Sequence, residues 1–484
     1  MSVSIKSGLK EKLESSTVSV DMTVGNIRKI IVAFAIPIMV GNLFQQMYSM
    51  VDTAVVGRGV GSDALAAVGT TSPVVQLLLG LMIGMTSGMS VVIAQYFGAG
   101  ETQNVKKAIA NGIVLLSIMT VLITIAGIAG CRSLFRLINT PEELIDGAVV
   151  YTVIMFAGTV SAAAYNYEAA VMRAFGNSII PLCFLILTSL LNVGLDLLFV
   201  LVLDMGIAGA AIATVLSQMA SAVLCILYMK KAVDYVNFQA QDWKFDKKIW
   251  LEHLRTGIPM AFFSSLLAVS FLVLQAALNS LGSNDMAAYT AASKMDTLVY
   301  QILGAFGTAI STFAAQNFGK GELNRVREGV RKSLSLTILI SISMTAFVFL
   351  FGRFFMMLFV NGSETEILES GMLYMRVTSM FYIILGVNFI VRFALTGVGK
   401  TIIPMMVGIS EILTRAAVTY LLVYRIGFMG MTFASPACWF TSTLLCVGCY
   451  KPMMRSAFGK YEKLHGSPAV LQSENRTMKR RYFI

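Results

Sequence analysis

Two carboxylates stand in runs of residues that carry almost no other charge. Asp196 lies in Asn192-Val193-Gly194-Leu195-Asp196-Leu197-Leu198-Phe199, and Asn192, four residues earlier, shares its helix face. Asp52 closes an earlier apolar run six residues before Arg58, and Thr214 sits eight residues into the run that follows Met205-Gly206. At about 1.5 Å of rise per residue, Asp52 lies roughly 9 Å, and Asp196 and Thr214 roughly 12 Å, inside one common boundary. Two acids, an amide and a hydroxyl from three helices then share a layer. An ionisable group at such depth costs several kcal/mol, so the set reads as a pocket for a proton or a small cation. Crowding and burial there would both raise a carboxyl pKa.

Other charges in apolar runs invite different readings. Glu411 and Arg415 are spaced i,i+4 and read as an internal structural pair. Lys294 and Asp296 either neutralise each other through neighbouring helices or line a cavity. Glu168, near Arg173 at a helix end, fits a polar gate and an interfacial anchor equally. Arg376 and Arg392 have no evident partner.

Much chemistry is excluded. His253 and His465 lie far apart in segments that read as polar, and Cys446-x-x-Cys449 has no second pair, so no metal is expected apart from Na+ at the acidic pocket. There is no Gly-x-x-x-x-Gly-Lys-Ser/Thr phosphate cradle, no cofactor is expected, and a membrane enzyme would need a polar catalytic cluster that is missing.

The elements that position these residues follow from composition. The 484 residues are 56% hydrophobic and only 13% charged, about half the charge of a soluble protein. Stretches long enough to span a bilayer fall near 30–56, 64–95, 106–130, 147–172, 178–203, 206–229, 250–280, 286–316, 330–352, 367–396, 402–424 and 427–450. The expected fold is an all-α polytopic membrane protein of twelve transmembrane helices. The polar connection Lys230 to Lys248 divides them, giving an N-terminal segment 1–25, a six-helix lobe 26–229, a linker 230–248, a second lobe 249–454 and a basic tail 455–484.

Basic residues gather in alternate connections: Lys6, Lys10, Lys12, Arg28 and Lys29, then Lys106 and Lys107, the linker, and the run from Lys320 to Lys332. The opposite loops hold only Arg58, Arg132, Arg136, Arg353 and Arg425. Both termini are therefore expected in the cytoplasm, and the net charge of +11 reports orientation rather than nucleic-acid binding. No cleavable signal is evident.

The halves repeat. Ile36-Pro37-Ile38-Met39 returns as Ile258-Pro259-Met260. Ala94-Gln95-Tyr96-Phe97-Gly98-Ala99-Gly100-Glu101 returns as Ala315-Gln316-Asn317-Phe318-Gly319-Lys320-Gly321-Glu322, and Gly176-Asn177-Ser178-Ile179-Ile180-Pro181 as Gly399-Lys400-Thr401-Ile402-Ile403-Pro404. Six helices per half keeps the repeat parallel, with a pseudo-twofold axis along the membrane normal. Two such lobes suit alternating access.

On Val51-Asp52-Thr53 with Gly57, the paired Gln-x-Phe-Gly-x-Gly and Gly-x-x-x-x-Pro stretches and Met205-Gly206-Ile207-Ala208-Gly209-Ala210-Ala211, residues 25–455 resemble the multidrug and toxic compound extrusion (MATE) family. The resemblance implies export of organic, often cationic compounds against H+ or Na+. It also matches Asp52, Asn192, Asp196 and Thr214 to the family's cation-coupling positions in the N-terminal lobe. One branch carries further carboxylates in the seventh and tenth helices, where this chain has Leu267 and Leu385, so it leans towards the DinF-like branch. The expectation is a cation-coupled antiporter, a monomer in the cell membrane, binding small organic cations. A lipid-linked oligosaccharide flippase is the alternative, and a membrane-embedded enzyme a distant third.

Overall fold

A computed structural model describes residues 20–59, 62–137 and 140–465; side chains at 48–54, 56–59, 62–70, 72–73, 137 and 464–465 lie outside that description. The helices are α1 (Ile27–Gly59), α2 (Ser62–Gly98), α3 (Thr102–Leu137), α4a (Glu142–Ala157), α4b (Thr159–Ala174), α5 (Ile179–Asp196) and α6 (Gly206–Ala232). The second half supplies α7 (Lys247–Asn279), α8 (Ser283–Gly319), α9 (Leu323–Met357), α10a (Thr365–Ser379), α10b (Tyr382–Gly397), α11 (Ile402–Val418) and α12 (Ala434–His465). A short helix, Phe428–Thr432, precedes α12. Ten helices are long and apolar enough to cross a membrane, and twelve spans result when each of two bent pairs counts once. The chain is a multi-pass membrane protein of two six-helix lobes.

The segments expected as single spans at 147–172 and 367–396 are the bent pairs, turning by 47° at Gly158 and by 48° before Tyr382. A bend releases carbonyls that lipid cannot satisfy, so protein must do it. Thr124 on α3 donates to the Phe156 carbonyl (3.2 Å), and Thr345 on α9, its counterpart in the repeat, donates to the Ser379 carbonyl (2.7 Å). Gly158 has a second reason: a Cβ there would lie 2.2 Å from Val215 of α6.

The two lobes meet along α2 and α8, with α7 laid on α2 and α1 on α8. Small residues permit the approach. Cβ atoms at Gly84 and Gly88 would fall 2.4 and 2.5 Å from the α7 backbone at Met260 and Gly257. On the related surface Ala305 and Ala309 of α8 pack with Ile31 and Ala35 of α1. Tightest are the glycines of the repeated motif: a Cβ on Gly98 would lie 2.0 Å from the Gln316 carbonyl, and one on Gly319 1.9 Å from that of Gln95.

The linker and termini are more structured than their polarity suggests. Asp242 is buried and accepts hydrogen bonds from Gln103 (2.5 Å) and the Gln239 amide (2.8 Å). Asn111 on α3 donates to the carbonyls of Asp242 and Lys244 and accepts from Trp250 (2.8 Å), and Asp246 caps α7. His253, expected in a polar segment, is instead fully buried in α7, its Nε2 2.9 Å from the Ala108 carbonyl. The expected tail begins as helix: α12 continues to His465, with Phe458 stacked on Phe318 and Tyr461 donating to the Gly319 carbonyl (3.3 Å). Residues 466–484 lie outside the described residues.

Because Gly98 meets backbone rather than a movable side chain, Gly98→Val should force the lobes apart at the linker end. Spin labels on Lys107 and Arg325 should report a longer interlobe distance. Gly130→Ala, where a Cβ meets open space, should leave that distance unchanged and be neutral or stabilising by up to about 1 kcal/mol.

Candidate cation-coupling site

The fifth and sixth helices of each lobe pack closely because α6 offers Gly209, Ala213, Ser217 and Ser221 at helical spacing, all buried. Two polar rungs cross the seam in the N-terminal lobe. Thr188 hydrogen-bonds to Ser221, and Asn192 Nδ2 donates to Thr214 Oγ1 at 3.3 Å. Ser217 donates to the Thr214 carbonyl (2.9 Å). Asn192 Oδ1 is buried and accepts nothing among the described residues.

One turn beyond Asn192, Asp196 is fully buried and is the last residue of α5 before a π-helical turn, Leu197–Val202. Wide turns of this kind recur at functional sites because they displace side chains from α-helical register. In the next layer Val55 of α1 packs with Val200 of that turn and Ala210 of α6. Asp52, Asp196 and Thr214 each stand three or four residues from one of these three, on the linker side in every case. Three helices therefore bring the expected residues to one level. Asn192, Asp196 and Thr214 are placed together; the side chain of Asp52 lies outside the described residues.

The second lobe builds the same rungs from different chemistry. Arg415 follows Pro404 as Asn192 follows Pro181, and Glu411 likewise corresponds to Thr188. Counted from Gly430 as from Gly209, Ser435 and Ser442 correspond to Thr214 and Ser221. Glu411 accepts from Ser442 (3.3 Å), and Arg415 Nη1 lies 3.5 Å from Ser435 Oγ while its Nε donates to Ser270 (2.8 Å). α11 also ends in a π turn, Thr419–Val423. Glu411 and Arg415, expected as an internal structural pair, both lie buried in this seam without a direct ion contact between them. Each is buried and held by serines of other helices, because a guanidinium directed at α7 and α12 no longer reaches back one turn along its own helix.

The remaining charges separate. Asp296 is buried and accepts from Tyr374 (2.7 Å) and Tyr382 (2.8 Å), on either side of the α10 bend, whereas Lys294 two residues earlier is exposed. No salt bridge joins them among the described residues. Arg376 is exposed, and Arg392 is buried with its guanidinium 4.5, 4.8 and 5.3 Å from the rings of Phe263, Phe389 and Phe393. Glu168 is buried in α4b.

Sequence reasoning quoted the paired glutamines without seeing their task. Gln95 Nε2 donates to the Gly397 carbonyl (2.9 Å), ending α10b of the other lobe, and Gln316 Nε2 donates to the Ala174 carbonyl (2.8 Å), ending α4b. Gln316 also accepts from the Met22 amide (2.9 Å), and Asn317 and Arg325 donate to the Met22 carbonyl, each at 3.3 Å. Residues 20–25 thereby strap both lobes, since the Val20 amide donates to Phe175 (2.9 Å). Finding the same dipeptide context at the same point of both halves was the available signal.

Duplicated six-helix lobes meeting at such a seam define a two-bundle membrane transporter fold. The MatE family model matches this chain twice, over residues 37–198 and 259–421, and the chain belongs to that family, the MATE transporters. Curated relatives include the probable multidrug resistance protein YpnP of Bacillus subtilis, 29% identical over 374 residues, 77% of this chain and 83% of that protein. The probable multidrug resistance protein NorM of Thermotoga maritima is 26% identical over 422 residues, 84% of this chain and 88% of its own length. A solved outward-facing conformation of a multidrug resistance MATE family transporter superposes with a TM-score of 0.83 at 23% identity, covering 91% of this chain and 98% of that one.

Gln316→Ala would orphan the Ala174 carbonyl and the Met22 amide, at about 1–3 kcal/mol for each buried group, while Gln95→Ala orphans one. Cysteine-accessibility labelling at the linker end should therefore rise more for Gln316→Ala than for Gln95→Ala.

Proposed function

We propose that this protein is a cation-coupled antiporter that exports small organic cations, drugs or toxins among them, by alternating access, with H+ or Na+ taken up at Asp52, Asn192, Asp196 and Thr214. The observation that carries the reading is the contrast between matched rungs. Where the second lobe fixes its own cation, Arg415, the N-terminal lobe has the neutral Asn192 beside the buried Asp196. A carboxylate at that depth needs a positive partner or a proton. A proton or Na+ exchanging at this buried acid, beside a neutral amide and a hydroxyl, is the coupling step in this reading. The names of the relatives YpnP and NorM, both probable multidrug resistance proteins, support export of drugs. Leu267 and Leu385 leave the second lobe without the extra acids, which favours coupling in the N-terminal lobe and the DinF-like branch.

In this reading both termini and the linker face the cytoplasm of a cell-membrane monomer, and lobes 26–229 and 249–454 rock about the α2–α8 seam. An ion entering from outside neutralises the acids, favours one packing of α1 on α5 and α6, and weakens the hold on substrate; substrate from inside favours the other. The coupling is reciprocal. One inward proton releases ~2.3 kcal/mol per 100 mV and ~1.4 kcal/mol per pH unit. Exchange for one monovalent cation is electroneutral, so only the pH contribution, about tenfold, then drives export. A flippase for a pyrophosphate-linked sugar would need several cationic groups facing the cleft, and of the candidates Arg415 is committed to Ser270, which leaves only Lys294 and Arg376.

Asp196→Asn in everted vesicles should abolish dye-dependent proton release, and a Na+ gradient imposed with a proton uncoupler present separates the two ions. Coupling that persists undiminished in the variant under both gradients contradicts the assignment.

A further inference from the structure

A second cavity, of about 800 Å³, lies inside the N-terminal lobe and away from the interlobe seam. Its walls are α3, α4b and α6, and its floor is the linker with Phe238 and Trp243 in edge-to-face contact. Its far end reaches the outer surface of the lobe, where Val121 and Val160 are exposed. The slot thus runs from lipid depth to the membrane surface.

Its lining is mainly apolar, with Ser117, Thr120 and Asn237 among it and two charged residues. Lys230 is exposed at the end of α6, so water solvates its ammonium. Glu168 is different: it is 7% exposed, and its Oε2 is buried with no hydrogen-bond partner. The polar side chain beside it is the Cys225 thiol, a weak donor. No salt bridge joins Glu168 to Lys230 among the described residues. The neighbouring Tyr167 hydroxyl is spent on the Ile109 carbonyl (3.0 Å). A mainly apolar slot of this size with one carboxyl oxygen lacking a hydrogen-bond partner asks for an N–H donor carried on an apolar body.

We propose that this slot is a second ligand site, for a lipophilic ammonium compound whose N–H donates to Glu168 while its apolar part lies along α3 and α4b. It differs from the site at Asp196, which lies on α5 roughly 16 Å further from the linker end than Glu168. The same chemistry reaches the slot from two sources: a drug-like cation, or the amine headgroup of a membrane lipid entering past Val121 and Val160. The inference does not rest on ion coupling.

Rhodamine 6G, a cationic dye with secondary amines, reads the site through Trp243. Full-length protein in phosphatidylcholine nanodiscs, without ion gradients, should show dye quenching of tryptophan emission that Trp243→Phe removes. Glu168→Gln should weaken that binding about thirtyfold or more. Ala164→Phe, which fills the slot and leaves the carboxyl in place, should abolish it, so a poorly folding Glu168 variant does not decide the matter alone. Nanodiscs of phosphatidylethanolamine distinguish the sources: competition assigns the site to the lipid amine, and undiminished binding to the dye-like cation. Equal affinity in wild type, Glu168→Gln and Ala164→Phe overturns the proposal.

Discussion

A carboxylate held in a bilayer must be matched by positive charge or carry a proton, and the two lobes meet that constraint differently. They share helices, bends, π turns and even the placement of rungs between their fifth and sixth helices. In the second lobe Glu411 and Arg415 bring opposite charges into one buried seam and anchor them on serines. In the first, the equivalent positions are Thr188 and Asn192, and the acid comes one turn later, at Asp196. Duplication supplied the scaffold, and a few substitutions made one copy self-sufficient in charge. The proposed function assigns the exchangeable ion to the other copy, where a neutral amide stands beside a buried acid.

The same scaffold explains how such an ion could be felt by the whole molecule. Asp196 ends α5, which packs on α1, and α1 packs on α8 of the other lobe. At the linker end the seam is glycine against backbone and glutamine against helix-end carbonyl, with residues 20–25 strapped across it. Contacts of that kind are short-range, so they are lost over a small separation of the lobes. A change in α1 packing is thereby connected to the interlobe seam, the link on which the proposed alternating access relies.

Most of the fold was legible in the sequence because bilayer thickness and the repeat are coarse constraints. The twelve spans, the division at the linker and the level shared by Asn192, Asp196 and Thr214 all came from length, depth and spacing. What sequence did not reveal depends on direction in space. Whether Arg415 bonds its own helix or α7 is decided by a rotamer, and whether Lys294 shares a face with Asp296 by two residues of helix phase. The bends in α4 and α10 carry no proline, and the carbonyls they release are met by a threonine on another helix. His253 read as polar because its neighbours Glu252 and Arg255 are charged, yet only it turns inwards. The Gln95 and Gln316 bonds were hidden because their acceptors are backbone carbonyls, which every sequence has everywhere.

The central claim is that an exchangeable cation occupies, in the first lobe, the role that Arg415 has in the second. Asn192→Arg would give the first lobe a cation of its own. Purified protein in weak buffer should release protons, or bound Na+ followed by an ion-selective electrode, when a cationic dye is added, and the Asn192→Arg variant, still folded by thermal melting, should release neither. Ion release from that variant equal to wild type would contradict the account.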